Sequence, residues 1–170
     1  SAVDYGAIFL EGTNTPALTD ANSILFGHAM KNGTMFGAFY RMSWNGTFGT
    51  VRDIYLLTPK GNLHLRTFAY VRVDASEMGV LTTDFASDEA RVAFIRDKID
   101  RAKFRADDMP DASEMKHIAS FVTCDSAEGR GRYILYAYVQ ESSLPGVEGT
   151  GHLDPNKPGT DLDLIDGLGW

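Results

Sequence analysis

Hydrophobic and polar residues alternate with a period close to two along most of the first 140 positions, in short runs separated by turn-forming residues. A period of two is typical of β-strands with one buried face. The predicted strands cover residues 5–10, 23–26, 54–58, 63–73, 117–124 and 132–140. The longest is expected to place five apolar side chains on one face: Leu63, Leu65, Ala69, Val71 and Val73. Residues 59–62, Pro-Lys-Gly-Asn, have the composition of a hairpin turn.

Two segments have helical patterns instead. Residues 88–104 follow a plausible N-cap, Ser87, and their first turn carries Asp88 and Glu89. An apolar stripe at helical spacing continues along them: Val92, Ile95, Ile99 and Ala102. Residues 34–42 predict a short helix. Many strands with one main helix predict a mostly β fold, a mostly antiparallel β-barrel or sandwich.

The composition changes near residue 141. The last 30 residues contain six acidic residues and one basic residue, together with three of the six prolines and six of the seventeen glycines. Such a segment buries little surface per ordered residue. We therefore predict a barrel domain over residues 1–140 and an acidic, Pro/Gly-rich C-terminal tail over residues 141–170.

Charge and composition exclude several classes of function. The net charge is −7, from 23 acidic and 16 basic residues, which argues against nucleic acid or an anionic membrane surface as the main partner. No apolar run approaches the roughly 18 residues that a membrane helix needs. The single cysteine, Cys124, excludes an intramolecular disulfide and a multi-cysteine zinc site. No loop has calcium-binding spacing, and neither a metal nor a cofactor is expected.

Cys124 ends the alternating run IASFVTC, and the polar, glycine-rich residues 125–131 separate it from the next strand, which begins at Arg132. If the two strands form a hairpin, Cys124 and Arg132 lie opposite each other at the two ends of the connecting loop. A guanidinium there would lower the pKa of the thiol or stabilise an oxyanion. Two alternatives stay open at this point. A lone cysteine is often a small buried hydrophobe, and Arg130 competes with Arg132 for the role.

A nucleophilic cysteine usually has a histidine partner, and there are four histidines. His117 is seven residues upstream, on the opposite face of the strand and about 23 Å from Cys124. His152 belongs to the predicted tail, and His64 is interpreted as an ordinary exposed strand residue. His28 follows a buried strand that ends at Gly27, a position where sites are often built, and it is the preferred candidate.

Five segments of the sequence resemble the class B sortases. YGAIFL (residues 5–10), SILFGHAM (23–30) and KNGTMFG (31–37) are similar to the sequence around that family's catalytic histidine. SFVTC (120–124) resembles the strand end that carries its nucleophile, although Ser and Phe replace the usual Thr and Leu. Gly131 and Arg132, followed by a hydrophobic strand, are similar to the segment of its catalytic arginine. The match runs in order over about residues 3–140.

The resemblance implies a mostly β, sortase-like antiparallel or mixed β-barrel with one main helix and short helices, and a cysteine transpeptidase. Cys124 would cleave the sorting signal of a secreted surface protein through a thioacyl intermediate. His28 would transfer protons and Arg132 would hold substrate and oxyanion, with Thr123 helping to shape the oxyanion site. The acceptor would be an amine of a cell-wall precursor or a pilin lysine. Two alternatives are a hydrolytic cysteine peptidase and a non-catalytic binding barrel.

The resemblance also implies a location and a missing portion. Sortases of this class act at the extracellular face of the cytoplasmic membrane, in the cell envelope of Gram-positive bacteria. Relative to that pattern, the sequence is expected to lack the membrane anchor, the N-terminal helices and the first two strands. It would then be a fragment or processed chain, or another segment would fill the gap. The tail, paired in cis or in a second copy, is one candidate.

Overall fold

A computed structural model describes residues 9–16, 18–27, 37–124 and 131–151 of the chain. Residues 5–8 of the first predicted strand, residues 34–36 of the short predicted helix and residues 152–170 of the predicted tail lie outside these ranges. The strands are β1 (Phe9–Leu10), β2 (Asn22–Gly27), β3 (Asp53–Thr58), β4 (Gly61–Asp74), β5 (Phe104–Arg105), β6 (Ile118–Cys124) and β7 (Gly131–Ser142). The α-helices are α1 (Gly37–Asn45) and α2 (Asp88–Arg101), and short 3₁₀ turns cover Thr47–Thr50, Met78–Leu81 and Ala112–Glu114.

The strands form one curled, mixed sheet in the order β1-β2-β6-β7-β4-β3, with β5 also paired to β4. The β2–β6 pair is parallel, and the other pairs are antiparallel. This arrangement confirms the predicted fold class, a mostly β, sortase-like fold with one main helix, and the sheet is curled into a half-barrel. The hairpin turn predicted at residues 59–62 connects β3 and β4.

Both faces of the sheet are buried at its centre, where residues 134–140 of β7 are all buried. We call the cluster that includes Ile95 of α2 the first core and the cluster that includes Met42 of α1 the second core. Alternate residues of β7 lie in different cores. The first core contains Ile134, Tyr136 and Tyr138, and the second core contains Leu135, Ala137 and Val139. This explains why β7 is almost continuously apolar in sequence.

A β-bulge in β4 makes one prediction wrong. Thr67 pairs with Ala137 and Ala69 pairs with Tyr136, so Phe68 is an extra residue in the ladder. An extra residue reverses the side-chain alternation beyond it. The five residues expected on one face are therefore divided: Leu63 and Leu65 lie in the second core, and Ala69, Val71 and Val73 lie in the first.

Helix α2 begins where the sequence predicts and ends earlier. The Ser87 hydroxyl accepts a hydrogen bond from the Ala90 backbone N–H at 3.1 Å, which confirms the N-cap. The helix ends at Arg101 rather than at residue 104, because the backbone becomes extended at Ala102 and the next residues pair with β4 as β5. The short helix predicted at residues 34–42 is found as α1, Gly37–Asn45, in the described part of the chain.

The first part of the predicted tail packs against the sheet. Strand β7 continues to Ser142, and the side chains of Leu144 and Val147 are buried in the second core. The backbone N–H groups of Thr150 and Gly151 donate to carbonyls of β7 at 3.0 and 3.1 Å. Residues 141–151 thus add to the core of the barrel, since their apolar side chains have a surface to cover. A tail role for residues 152–170 stays a prediction.

Candidate active site

The β6–β7 hairpin places two of the predicted site residues opposite each other. Cys124 is the last residue of β6, and its partner across the ladder is Arg132. Cα atoms of directly opposed residues in an antiparallel pair are about 4.5–5.5 Å apart. The predicted juxtaposition of these two residues is confirmed at the level of the backbone. The side chain of Cys124 and residues 125–130, which include Arg130, lie outside the described part.

Strand β2 brings a third segment to the same edge. It runs parallel to β6, and its last residue, Gly27, pairs with Thr123, the residue before Cys124. Because parallel strands end at the same edge of a sheet, β2 and β6 end where β7 begins. His28 follows Gly27 directly in the sequence but lies outside the described residues. The histidine assignment therefore stays a prediction, although the strand that leads to it ends next to the cysteine strand.

The start of β7 is shaped by its contact with β4. Arg132 is half-buried, and its partner on β4 is Val73. A Cβ atom placed on the preceding residue, Gly131, would lie 2.7 Å from Nη2 of Arg72. A larger residue at Gly131 would have to displace that guanidinium. Glycine here therefore allows the Arg72 side chain to lie against the β7 backbone immediately before Arg132.

Thr123 has a structural role within the ladder. Its side chain is 1% exposed, and its Oγ1 donates a hydrogen bond to the carbonyl oxygen of Tyr133 at 3.1 Å. This hydrogen bond thus joins Thr123, which precedes Cys124, to Tyr133, which follows Arg132. This contact does not support the expectation that Thr123 shapes the oxyanion site, since its hydroxyl proton is already donated to the backbone.

The prediction that His64 is an exposed strand residue is wrong. Only 6% of His64 is exposed, and its Nε2 lies 2.8 Å from Oδ1 of Asp53 while its ring stacks on Tyr55 with centroids 4.6 Å apart. Asp53 and Tyr55 on the neighbouring strand cover the imidazole, which the local sequence around His64 does not indicate. On β4, His64 pairs with Glu141, nine residues along β7 from Arg132 and thus about 30 Å away.

His117 is also remote from the candidate site. Its Nδ1 lies 3.1 Å from the backbone carbonyl oxygen of Asp20, just before β6 begins, whereas Cys124 is at the other end of that strand. The exclusion of His117 is therefore consistent with the geometry. His152 lies outside the described residues.

No group of three or more His, Cys, Asp or Glu residues within the described ranges is placed to hold a metal ion. Neither α1 nor α2 combines the length and the hydropathy of a membrane-spanning helix.

No protein-family model matches the sequence, and no curated protein matches it. Solved structures do match its fold. Sortase B of Clostridium perfringens superposes with a TM-score of 0.69 at 20% identity, over 78% of this chain and 72% of that one. Sortase B from the type II pilus of Streptococcus pneumoniae gives a TM-score of 0.68 at 26% identity, over 79% and 76%.

A Staphylococcus aureus sortase B–substrate complex gives a TM-score of 0.68 at 21% identity, over 78% of this chain and 61% of that one. Each of the three similarities covers 78% or 79% of this chain. They agree with the resemblance that the sequence shows around residues 5–37, 120–124 and 131–132. Over 78% of its length, the chain therefore has the fold of the class B sortases.

Proposed function

We propose that this protein is a sortase-type cysteine transpeptidase that cleaves a sorting signal and transfers the released acyl group to an amine. The observation that carries the proposal is the meeting of three strand ends at one edge of the sheet. Cys124 ends β6, Arg132 opposes it on β7, and the strand before His28 ends beside Thr123. The similarity in fold to class B sortases supports the same conclusion.

The first half of the reaction would acylate the cysteine. The thiolate sulfur of Cys124 attacks the carbonyl carbon of the scissile peptide bond, and the resulting oxyanion accepts hydrogen bonds from the Arg132 guanidinium. The carbon–nitrogen bond then breaks. The leaving amine takes a proton from the imidazolium of His28, and a thioacyl enzyme remains.

The second half would transfer the acyl group. The nitrogen of an acceptor amine attacks the thioester carbonyl carbon, and His28 takes the proton that this nitrogen loses. The carbon–sulfur bond breaks, a new amide forms, and the thiolate and imidazolium return to their starting state. The same residues would perform hydrolysis if water replaced the amine, so the acceptor distinguishes a transpeptidase from a peptidase.

The proposed substrates follow from the family resemblance. They are a sorting-signal peptide of a secreted surface protein and an amine of a cell-wall precursor or a pilin lysine. One of the similar structures is described as a sortase B–substrate complex, which supports a peptide-binding role for this fold. The proposed location is the extracellular face of the cytoplasmic membrane in a Gram-positive cell envelope.

The test is mass spectrometry of the protein incubated with a panel of sorting peptides. We expect an acyl adduct on Cys124, and we expect no adduct with Cys124→Ala. Adding a glycine peptide should convert the adduct to an amide product, and adding hydroxylamine should convert it to a hydroxamate. Hydrolysis products alone would indicate a peptidase, and wild-type protein that forms no adduct with any peptide would favour a non-catalytic barrel.

The arginine can be tested with a matched control. Arg132→Lys keeps the positive charge but loses the planar, forked donor geometry. Loss of an oxyanion donor typically lowers kcat by about 10²–10³-fold. Arg96→Lys, an exposed arginine on α2, should leave the rate unchanged. Equal rates for both variants would show that Arg132 does not contact the reacting carbonyl.

A further inference from the structure

Strand β3 ends the described sheet, and among the described residues it has a neighbouring strand on one side only. Its register with β4 is uninterrupted from Asp53 to Thr58. The strand at the opposite end of the sheet, β1, has only two residues in the described part, so β3 presents the longer edge. The backbone N–H and C=O groups along such an edge can bind another strand.

Hydrogen bonds around the β3–β4 hairpin determine which residues present these groups. The Thr67 N–H donates to the Arg52 carbonyl oxygen at 2.8 Å, which makes these two residues a hydrogen-bonded pair just before β3. Hydrogen-bonded and non-hydrogen-bonded pairs alternate along an antiparallel ladder. Asp53, Tyr55 and Leu57 therefore belong to non-hydrogen-bonded pairs, and their backbone groups point away from β4.

Asn62, the partner of Leu57 on β4, has the orientation that this alternation requires. Its N–H donates to the Ser143 hydroxyl at 2.9 Å, and its carbonyl oxygen accepts from the Ser143 N–H at 3.0 Å. The backbone groups of Asn62 are thus turned away from β3. The backbone N–H and C=O of Asp53 and Leu57 form no hydrogen bond with any residue that the structure describes.

The side chains along this edge favour pairing with another strand. Residues 54–57 are Ile-Tyr-Leu-Leu, and Leu57 is 44% exposed. Natural proteins usually protect an exposed edge with a charged residue, a proline or a bulge. None of these occurs within residues 54–57 of β3.

We propose that β3 pairs with β3 of a second copy of this chain, antiparallel and about a two-fold axis at Tyr55. In this register Asp53 of each copy lies opposite Leu57 of the other, so the outward backbone groups of both residues are hydrogen-bonded. Ile54 lies opposite Leu56, which pairs apolar side chains with each other. No two like charges are directly opposed, and a contact that uses the same surface twice forms a closed dimer.

The size of this contact makes the dimer weak. A strand of six residues is about 20 Å long, so two paired edges bury less than the roughly 1,200–2,000 Å² of a stable interface. We therefore expect a Kd between about 10 µM and 1 mM. The candidate active site stays accessible, because β4 and β7 lie between β3 and the strand that ends at Cys124. The proposal is independent of the catalytic mechanism.

Sedimentation velocity over this concentration range tests the dimer with a matched pair of variants. Leu57→Lys places a charge on the edge, and Met78→Lys changes the other exposed large hydrophobic residue of the described part, which lies outside the sheet. We expect Leu57→Lys to weaken association by roughly tenfold or more and Met78→Lys to leave it unchanged. Leu57→Pro should also weaken association, because it removes an N–H that points away from β4 and leaves the β3–β4 hydrogen bonds in place.

Hydrogen exchange of the wild-type backbone amides locates the contact. As the concentration rises, the amides of Asp53 and Leu57 should become protected, whereas those of Ile54 and Leu56, which already bond to β4, should not change. A wild-type protein that stays monomeric throughout the range refutes the proposal, and so does a dimer that both Leu57 variants leave intact. If the Leu57 amide is already protected in the monomer, another segment of the same chain covers the edge and the second copy is excluded.

Discussion

The Tyr136 hydroxyl is a buried polar group whose removal should stabilise the protein. Tyr136 is completely buried in the first core, between Phe68 at 6.1 Å and Phe94 at 6.2 Å between ring centroids. No described residue accepts or donates a hydrogen bond at its oxygen. Burial also raises the pKa of this phenol well above its usual value, so it stays neutral in the folded protein.

The expected magnitude follows from the unpaired hydroxyl. A buried polar group without a partner costs about 1–3 kcal/mol, and Tyr136→Phe removes that cost while the ring keeps its contacts. After allowing for the small volume lost, we expect the free energy of unfolding to rise by about 1 kcal/mol. Tyr70→Phe should instead lower it by about 1 kcal/mol, because the hydrogen bond from the buried Tyr70 hydroxyl to the Phe39 carbonyl oxygen is lost.

Urea denaturation of the two variants and the wild type measures these differences. The midpoint should rise for Tyr136→Phe and fall for Tyr70→Phe, with equal slopes, since the surface exposed on unfolding is the same. The midpoint of thermal unfolding should move by about 2–4 °C per kcal/mol in the same directions. A fall in stability of 1 kcal/mol or more for Tyr136→Phe, on the order expected for a lost hydrogen bond, would refute the reasoning.

Two further predictions concern acid stability and the segment after β7. The hydrogen bond from Arg101 lowers the pKa of Glu77. The Glu77 carboxylate therefore contributes stability at neutral pH, and this contribution is lost as the pH falls through the lowered pKa. Arg101→Gln should flatten the pH dependence of the free energy of unfolding below about pH 4.5. A side chain at Gly149 would overlap the backbone carbonyl of Gln140, so Gly149→Ala should lower the free energy of unfolding by about 1–3 kcal/mol. Gly79→Ala, where a Cβ meets nothing within 4 Å, should change it little, and equal stabilities for the two variants would contradict the packing of residues 141–151 on β7.

Much of the site's framework could be predicted from local pattern. The alternation before Cys124 and after Arg132, with a polar glycine-rich segment between them, predicts a hairpin, and the ladder opposes these two residues. Ser87 caps α2 as its sequence indicates, because an N-cap depends only on neighbouring residues. Local interactions determine these features, so local sequence is sufficient for them.

Features that depend on distant residues could not be predicted. The bulge at Phe68 is defined by pairing with β7, about 70 residues later in the chain, and nothing in the alternation of β4 marks the extra residue. His64 is buried because β3 covers it with Asp53 and Tyr55. The buried Tyr70 hydroxyl donates to a carbonyl of α1, 31 residues earlier. Long-range packing decides all three.

Cys124 and Arg132 are directly paired residues of β6 and β7, and this pairing has a consequence for how the sequence between them can vary. The connection between them, residues 125–130, starts and finishes at adjacent points of a rigid framework. Doubling the length of a flexible connection costs only about 0.6 kcal/mol in closure entropy. Changes in the length of this connection would therefore leave the backbone spacing of Cys124 and Arg132 unchanged, so in the proposed transpeptidase the loop and the reacting pair could vary independently.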